Sequence, residues 1–411
     1  MKKIKVKITE DKEYKIYIEK GILNNLGEYL SKTIGNKRII IITNSLVNCL
    51  YGVKLFSSLK RGGFNPDLID LIEVTDGEKY KTLSTAKYLY DELLKRKADR
   101  TTTLIALGGG VIGDLTGFVA ATYMRGLPLV HIPTTLLAQV DSSIGGKVAV
   151  DHPLAKNIIG SFYQPKAVYT DPEVLQTLSD KDIKNGIVEA IKIAVIKSPA
   201  FFKWLEKNID QLLKKHRDLL CEAIKEAVSL KVDVVLKDPW ESGLRKVLNF
   251  GHSIGHALEA EVGYQDLSHG EAVALGMLIE TKIARNRGIC SQALEEQIKQ
   301  MLSFLRNQES KPEEQLNVSN SLSSLPSPPS SLSFPPSSLS FPRKRESIFK
   351  CIKNIDYNKF WETLTLDKKN YQGKITFILP EALGKVVLID DINKEEVIEA
   401  LEEFKKEWKL C

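Results

Sequence analysis

Directly after a short apolar run, Thr102–Leu107, the chain reads Leu107-Gly108-Gly109-Gly110-Val111-Ile112-Gly113-Asp114-Leu115-Thr116-Gly117, and no other stretch constrains the fold as strongly. Glycines at 108, 110 and 113 suit a tight strand-to-helix turn whose backbone amides approach an anion, which the positive end of the helix then stabilises. The spacing satisfies the dinucleotide pattern G-x-G-x-x-G of parallel α/β sheets. The acidic residue that usually follows about 20 positions later is missing; that region reads Pro128-Leu129-Val130-His131-Ile132-Pro133. Taken alone, the glycines also fit a tight turn with no ligand.

The surrounding pattern agrees with a parallel sheet. Arg38–Thr43 is a β-branched run, Thr85–Arg96 has helical spacing, Thr102–Leu107 reads as a buried strand, and Leu129–Ile132 as another. Such alternation predicts an α/β fold. From about Asp180 the pattern changes to long amphipathic stretches, Ile187–Ile196, Phe201–Leu212 and Asp218–Leu236, which predict a mainly helical second half. Between Ser319 and Pro342, 11 serines and 6 prolines fill 24 positions, and Ser-Ser-Leu-Ser-Phe-Pro occurs twice. A segment of this composition buries too little apolar surface to offset its ordering entropy, so residues 307–349 are expected to be a disordered insertion that loops out and leaves activity intact. The basic Arg343-Lys344-Arg345 at its edge reads as a solvated charge run.

With 411 residues, the chain is long enough for two cores. Its +6 net charge is spread along the sequence and not gathered into an arm, which points away from nucleic acid and suits a small anionic ligand. The five cysteines are far apart and never in C-x-x-C spacing, so neither a disulfide framework nor a thiolate zinc site is expected. Ile4, Val6 and Ile8 alternate with polar residues as in a strand, not a signal peptide, and no apolar run is long enough to span a bilayer. A reducing, cytoplasmic setting is the expectation.

Three of the 6 histidines, His252, His256 and His269, fall in one short stretch interleaved with Gly251, Gly255 and Gly270. Clustered imidazoles point to a metal. Spacing alone pairs His252 with His256 on one helix face, with a further ligand from elsewhere, because a catalytic zinc usually has three protein ligands and an open position. Lys147, directly after Gly145-Gly146, suits a cation presented to an anionic substrate by close-approaching backbone.

Several longer motifs occur in order: Gly109-Gly110-Val111-Ile112-Gly113-Asp114-Leu115-Thr116-Gly117, Met124-Arg125-Gly126, Pro133-Thr134-Thr135-Leu136-Leu137, Val140-Asp141-Ser142-Ser143-Ile144-Gly145-Gly146-Lys147, Val188-Glu189-Ala190-Ile191-Lys192, Leu248-Asn249-Phe250-Gly251-His252 and His269-Gly270-Glu271. Together they resemble the 3-dehydroquinate synthase family over nearly the whole chain outside the insertion.

That resemblance implies a Rossmann-like, NAD-binding α/β domain over 1–175 and a helical metal- and substrate-binding domain over 176–411. It implies one divalent ion, zinc or cobalt, held by Glu189, His252 and His269, and it moves His256 to the substrate. For NAD it implies Asn44, Asp76, Gly77, Glu78, Lys79, Tyr80, Lys81, Gly110, Val111, Ile112, Gly113, Asp114, Thr134, Thr135, Lys147, Lys156, Val174, Leu175, Gln176 and Thr177. For a sugar-phosphate substrate carrying a carboxylate and a phosphate it implies Arg125, Lys147, Lys192, Lys231, Arg245 and Lys368, with Asp141, Asn157 and Asn249 as polar partners. Lys369 competes with Lys368 for its place.

The implied activity is a carbon–oxygen lyase of aromatic amino acid biosynthesis. It converts 3-deoxy-D-arabino-heptulosonate 7-phosphate to 3-dehydroquinate by transient oxidation, phosphate elimination, re-reduction and aldol closure. A homodimer is also implied. The chain departs from the pattern at Ala155, where glycine is usual, and at Pro239-Trp240, in a loop that is commonly more acidic. A metal-dependent polyol or alcohol dehydrogenase, or a related sugar-phosphate cyclase such as an inosose-forming synthase, would share the fold and cofactors, but a neutral polyol needs no cluster such as Arg125, Lys147, Lys192 and Arg245. A former enzyme turned scaffold would not need its metal ligands intact.

Overall fold

Ile39, Ile40, Ile41 and Ile42 are all buried, which requires a strand covered on both faces. The computed structural model describes residues 1–9, 12–153, 155–262, 267–305, 350–353, 355–366 and 375–408. Its strands are β1 Lys2–Thr9, β2 Lys12–Ile18, β3 Ile39–Thr43, β4 Ile69–Glu73, β5 Thr103–Gly108, β6 Leu129–Pro133, β7 Lys147–His152, β8 Ala155–Phe162, β9 Ala167–Thr170, β10 Phe377–Ala382 and β11 Lys385–Ile389. Seven of them form one sheet in the order β1-β2-β9-β6-β5-β3-β4. β1 and β2 pair antiparallel, and the remaining neighbours are parallel.

Alternation along each strand divides the core between the two faces. Ile39 and Ile41 join Leu30, Leu55 and Leu59 of the helices Leu26–Ile34 and Val53–Arg61, in an apolar cluster that continues into the helical half. Ile40 and Ile42 join Leu89 and Leu93 of Leu83–Lys95, together with Leu115 and Val119 of Gly110–Thr122. The expected strands and the helix between them appear, with ends shifted by a residue or two. The amphipathic stretches form the helices Asp180–Lys197, Pro199–Leu213 and Arg217–Lys237, and the helices His252–Val262, His269–Asn286 and Lys394–Glu407 follow.

Composition concealed the antiparallel β7–β8 hairpin, because only Val148 and Val150 of β7 are buried and its remaining residues are small, polar or charged. The hairpin packs on the glycine-loop helix at Gly117, where a Cβ would come 2.3 Å from Val148 Cγ1. Cys49, Cys221 and Cys290 are free thiols, and no helix among the described residues is long and apolar enough to cross a membrane. The insertion expected at 307–349 lies outside the described residues.

His131 on β6 is buried against Gly113 of the glycine turn, and burial pushes its imidazole from 6.5 down to about 4. A lowered folded value contributes stability that is fully present above 6.5 and is lost as pH falls toward 4. Between neutral pH and pH 4, the wild-type chain is therefore expected to lose about 3 kcal/mol more than His131→Gln. Melting curves of the two proteins across that range check this, and parallel curves would refute it.

Candidate active site and metal centre

The helix Asp180–Lys197 is capped by Ser179, whose Oγ accepts from Asp182 N at 3.1 Å. Three positions apart on this helix, Glu189 and Lys192 share a face, and both are 2% exposed. Two further helices bring histidines to that carboxylate. Glu189 Oε1 lies 3.7 Å from His252 Nε2 and 3.6 Å from His269 Nε2. Donors on a tetrahedral zinc stand about 3.3 Å apart for bonds of about 2.0 Å, so this spacing is close to that of a ligand set. Glu189 Oε1 is buried and has no hydrogen-bond partner among the described residues. A buried anionic oxygen flanked by two imidazole nitrogens calls for a cation, so the residues fit a divalent ion.

Close helix approach makes this geometry possible. At Gly270, beside His269, a Cβ would fall 2.5 Å from Asn185 Cα. The glycine thus lets the helix His269–Asn286 meet Asp180–Lys197 one turn before Glu189. At Gly276 a Cβ would stand 1.9 Å from Gly251 O, so the helices bearing His252 and His269 also touch through backbone. Ser268 and Glu271 form a capping box at the start of the second helix, and Ser268 Oγ donates to Asn185 Oδ1 at 2.8 Å. The three histidine rings gather with centroids 5.5, 5.3 and 6.2 Å apart.

Burial works against charge on Glu189, but the Lys192 ammonium ion-paired to it prevails and holds the carboxyl below its usual range. Burial likewise opposes charge on His269, yet Glu189 and Glu259 raise the ring to about 9. The pocket is thus electrostatically prepared for positive charge.

Around this core, Lys231 donates to Asp141 Oδ1 at 2.5 Å and to Asp141 O at 2.8 Å, while Lys192 Nζ lies 4.0 Å from Asp141 Oδ1. Burial would raise the Asp141 carboxyl, but Lys231 and Lys192 outweigh it and hold it well below the carboxylate range. Lys147 is ion-paired with Glu241, which also accepts from Asn249 Nδ2 at 3.1 Å. Arg245 is 2% exposed and donates to Gly145 O at 3.1 Å and Pro239 O at 2.8 Å. It thereby clamps the turn that presents Lys147.

The segments expected to hold NAD follow one topological rule. Asn44 follows β3, residues 76–81 follow β4, 110–114 follow β5, Thr134 and Thr135 follow β6, and 174–177 follow β9. All lie at the carboxyl edge of the parallel strands, where such sheets bind ligands. Asn44 Nδ2 donates to Asp76 Oδ1 at 2.8 Å. Lys81, 4% exposed, lies 3.0 Å from Glu78 Oε1 and 3.3 Å from Asp114 Oδ2. Burial pushes Asp114 up to about 6 against the pull of Lys81.

Not every expected residue reaches the metal cluster. Asn157 joins the Lys81 group instead, accepting from Lys81 Nζ at 2.5 Å. Arg125 is exposed on the turn after the glycine-loop helix, where Met124, Arg125 and Gly126 all have positive φ. Lys368 lies outside the described residues. Sequence reasoning missed Glu241 and Glu259. Glu259 could have been found, since His252, His256 and Glu259 share one helix face at i, i+4 and i+7. Glu241 could not, because its contacts depend on a loop with φ of 59° at that residue.

Comparison with known proteins points the same way. Residues 71–185 match the family described as 3-dehydroquinate synthase N-terminal, and 186–324 match 3-dehydroquinate synthase C-terminal. The 3-dehydroquinate synthase of Thermodesulfovibrio yellowstonii is 40% identical over 403 residues, covering 98% of this chain and 100% of that one. That of Pseudoalteromonas atlantica is 40% identical over 396 residues, 96% of this chain and 98% of its own. The 2-epi-5-epi-valiolone synthase ValA of Streptomyces hygroscopicus, solved with NAD+ and Zn2+, superposes with a TM-score of 0.80 at 23% identity, covering 98% of this chain and 99% of that one. A 2-deoxy-scyllo-inosose synthase, solved with carbaglucose-6-phosphate, NAD+ and Co2+, gives 0.78 at 23% identity, covering 98% and 100%. The structural likenesses establish the fold, and with the sequence matches across both halves the chain belongs to the 3-dehydroquinate synthase family.

Proposed function

We propose that the chain converts 3-deoxy-D-arabino-heptulosonate 7-phosphate to 3-dehydroquinate and phosphate, the reaction of its family. The observation that carries this reading is the convergence of Glu189, His252 and His269 beside the buried lysines Lys192 and Lys231 and the Asp141 carboxylate between them. Glu189, His252 and His269 hold a zinc or cobalt ion, and the carboxyl edge of the sheet, with Lys147 and Lys156, holds NAD. Residues 1–175 form the cofactor domain and 176–411 the metal and substrate domain. When bound, the ion supplies Lewis-acid polarisation of ring hydroxyls and NAD supplies a hydride exchange that leaves no net redox change.

The remaining steps belong to the protein's own side chains. Lys192 and Lys231 hold positive charge beside the reacting hydroxyls, and Asp141 keeps both ammonium groups in place. Lys147, Arg245 and Asn249 receive the substrate carboxylate once Glu241 yields Lys147. Arg125, Asn157 and Lys368 are further substrate contacts, and His256 holds or moves a proton beside the phosphate. By family resemblance we also assign a cytoplasmic homodimer.

Full-length protein given NAD and zinc is expected to release phosphate from the heptulosonate phosphate without accumulating NADH, and a chelator is expected to stop it. NADH formed from a polyol, with no phosphate released, would move the chain to the dehydrogenase reading.

A further inference from the structure

We infer that Glu259 is a positioning residue, which fixes the nitrogen that His269 turns to the metal. The inference rests on the metal assignment above. An imidazole offers two nitrogens, and an ion takes the one that carries no proton. His269 Nε2 faces Glu189 at 3.6 Å, while Nδ1 faces Glu259 Oε1, also at 3.6 Å. A carboxylate on the Nδ1 side favours the proton there electrostatically and leaves the Nε2 lone pair for the ion. His252 is oriented in the same sense by different means, since its Nδ1 lies 3.2 Å from the backbone oxygen of Phe250. Both rings thus turn Nε2 toward Glu189.

Glu259 is 2% exposed, so its charge must be compensated within the protein. Its second oxygen lies 3.7 Å from Lys156 Nζ on the β8 strand. One buried carboxylate therefore spans a metal histidine and a hairpin lysine, and the metal centre is braced against the cofactor-binding half.

A rival role exists for the same atoms, because His256, Glu259 and His269 also lie within ligating distance of one another. Glu259 could then be a ligand of a second ion instead of an orienting group.

The test is zinc affinity by chelator competition, with metal stoichiometry, for full-length wild type, Glu259→Gln and Glu259→Ala. Glutamine keeps a neutral acceptor, like the carbonyl that serves His252, so it is expected to weaken zinc binding about tenfold and alanine about a hundredfold. The melting temperature of metal-free Glu259→Gln, which keeps the side-chain volume, should stay closer to that of metal-free wild type than that of Glu259→Ala does. Unchanged zinc affinity in both variants overturns the inference but leaves the metal site standing; a wild type that takes up no zinc overturns both. A second equivalent of zinc in wild type, lost from the variants while the first is kept, also overturns it. Should either variant fail to fold, histidine nitrogen NMR of the zinc-loaded wild type decides: a proton on Nδ1 of His269 supports the inference, and a metal bond at Nδ1 overturns it.

Discussion

Glu189→Gln is expected to cost as much activity as His252→Ala does, and more stability. Each change removes a donor of the proposed metal site, so phosphate release from the heptulosonate phosphate should fall about a thousandfold, the size expected when several kcal/mol of transition-state stabilisation is lost. Glu189→Gln also takes the ion-paired charge from Lys192, which is 2% exposed and whose nearest remaining carboxylate among the described residues, Asp141, stands 4.0 Å away. Breaking a buried pair from one side typically costs about 3–5 kcal/mol. The metal-free Glu189→Gln protein should therefore melt well below metal-free His252→Ala. Equal melting temperatures would show that the ion pair does not matter to the fold.

Gly276→Ala is expected to be the most damaging single methyl addition in the helical half. The added Cβ would stand 1.9 Å from Gly251 O and 2.9 Å from Gly255 N, and these are backbone atoms that cannot rotate away. The helices carrying His252 and His269 must separate, at a cost of about 3 kcal/mol or more, and the two rings move apart with them. The melting temperature should drop by about 3 °C or more, and zinc affinity should fall although no proposed ligand has changed. Gly243→Ala, whose methyl meets nothing within 4 Å, is the control and should melt like wild type. An unaltered zinc affinity in folded Gly276→Ala would show that the helix spacing does not tune the site.

Much of the cofactor edge was legible without coordinates. A strand of four isoleucines and a glycine run after a second strand can belong to little else than a covered parallel sheet with a phosphate-sized turn at its carboxyl edge. Local spacing also brought His252, His256 and His269 together, but it paired His252 with His256, whereas the structure sets the Glu189 carboxylate between His252 and His269. Helix periodicity sees only neighbours on one helix, whereas Glu189 reaches His252 and His269 from 63 and 80 residues earlier in the chain. The family resemblance supplied that pairing, and no spacing rule could have.

The sequence by itself determined the α/β plan, the glycine turn, the helical second half and the residue types of the site, because periodicity, backbone freedom at glycine and ligand chemistry are local properties. Tertiary structure alone decided which side chains meet. It placed Asn157 on Lys81, turned Arg245 onto Gly145 O and Pro239 O, joined Glu241 to Lys147, and set Glu259 between His269 and Lys156. Those contacts arise where helices close on backbone at Gly251, Gly270 and Gly276 and where a hairpin folds over a helix. Such long-range packing distances have no counterpart in the spacing of residues along a chain.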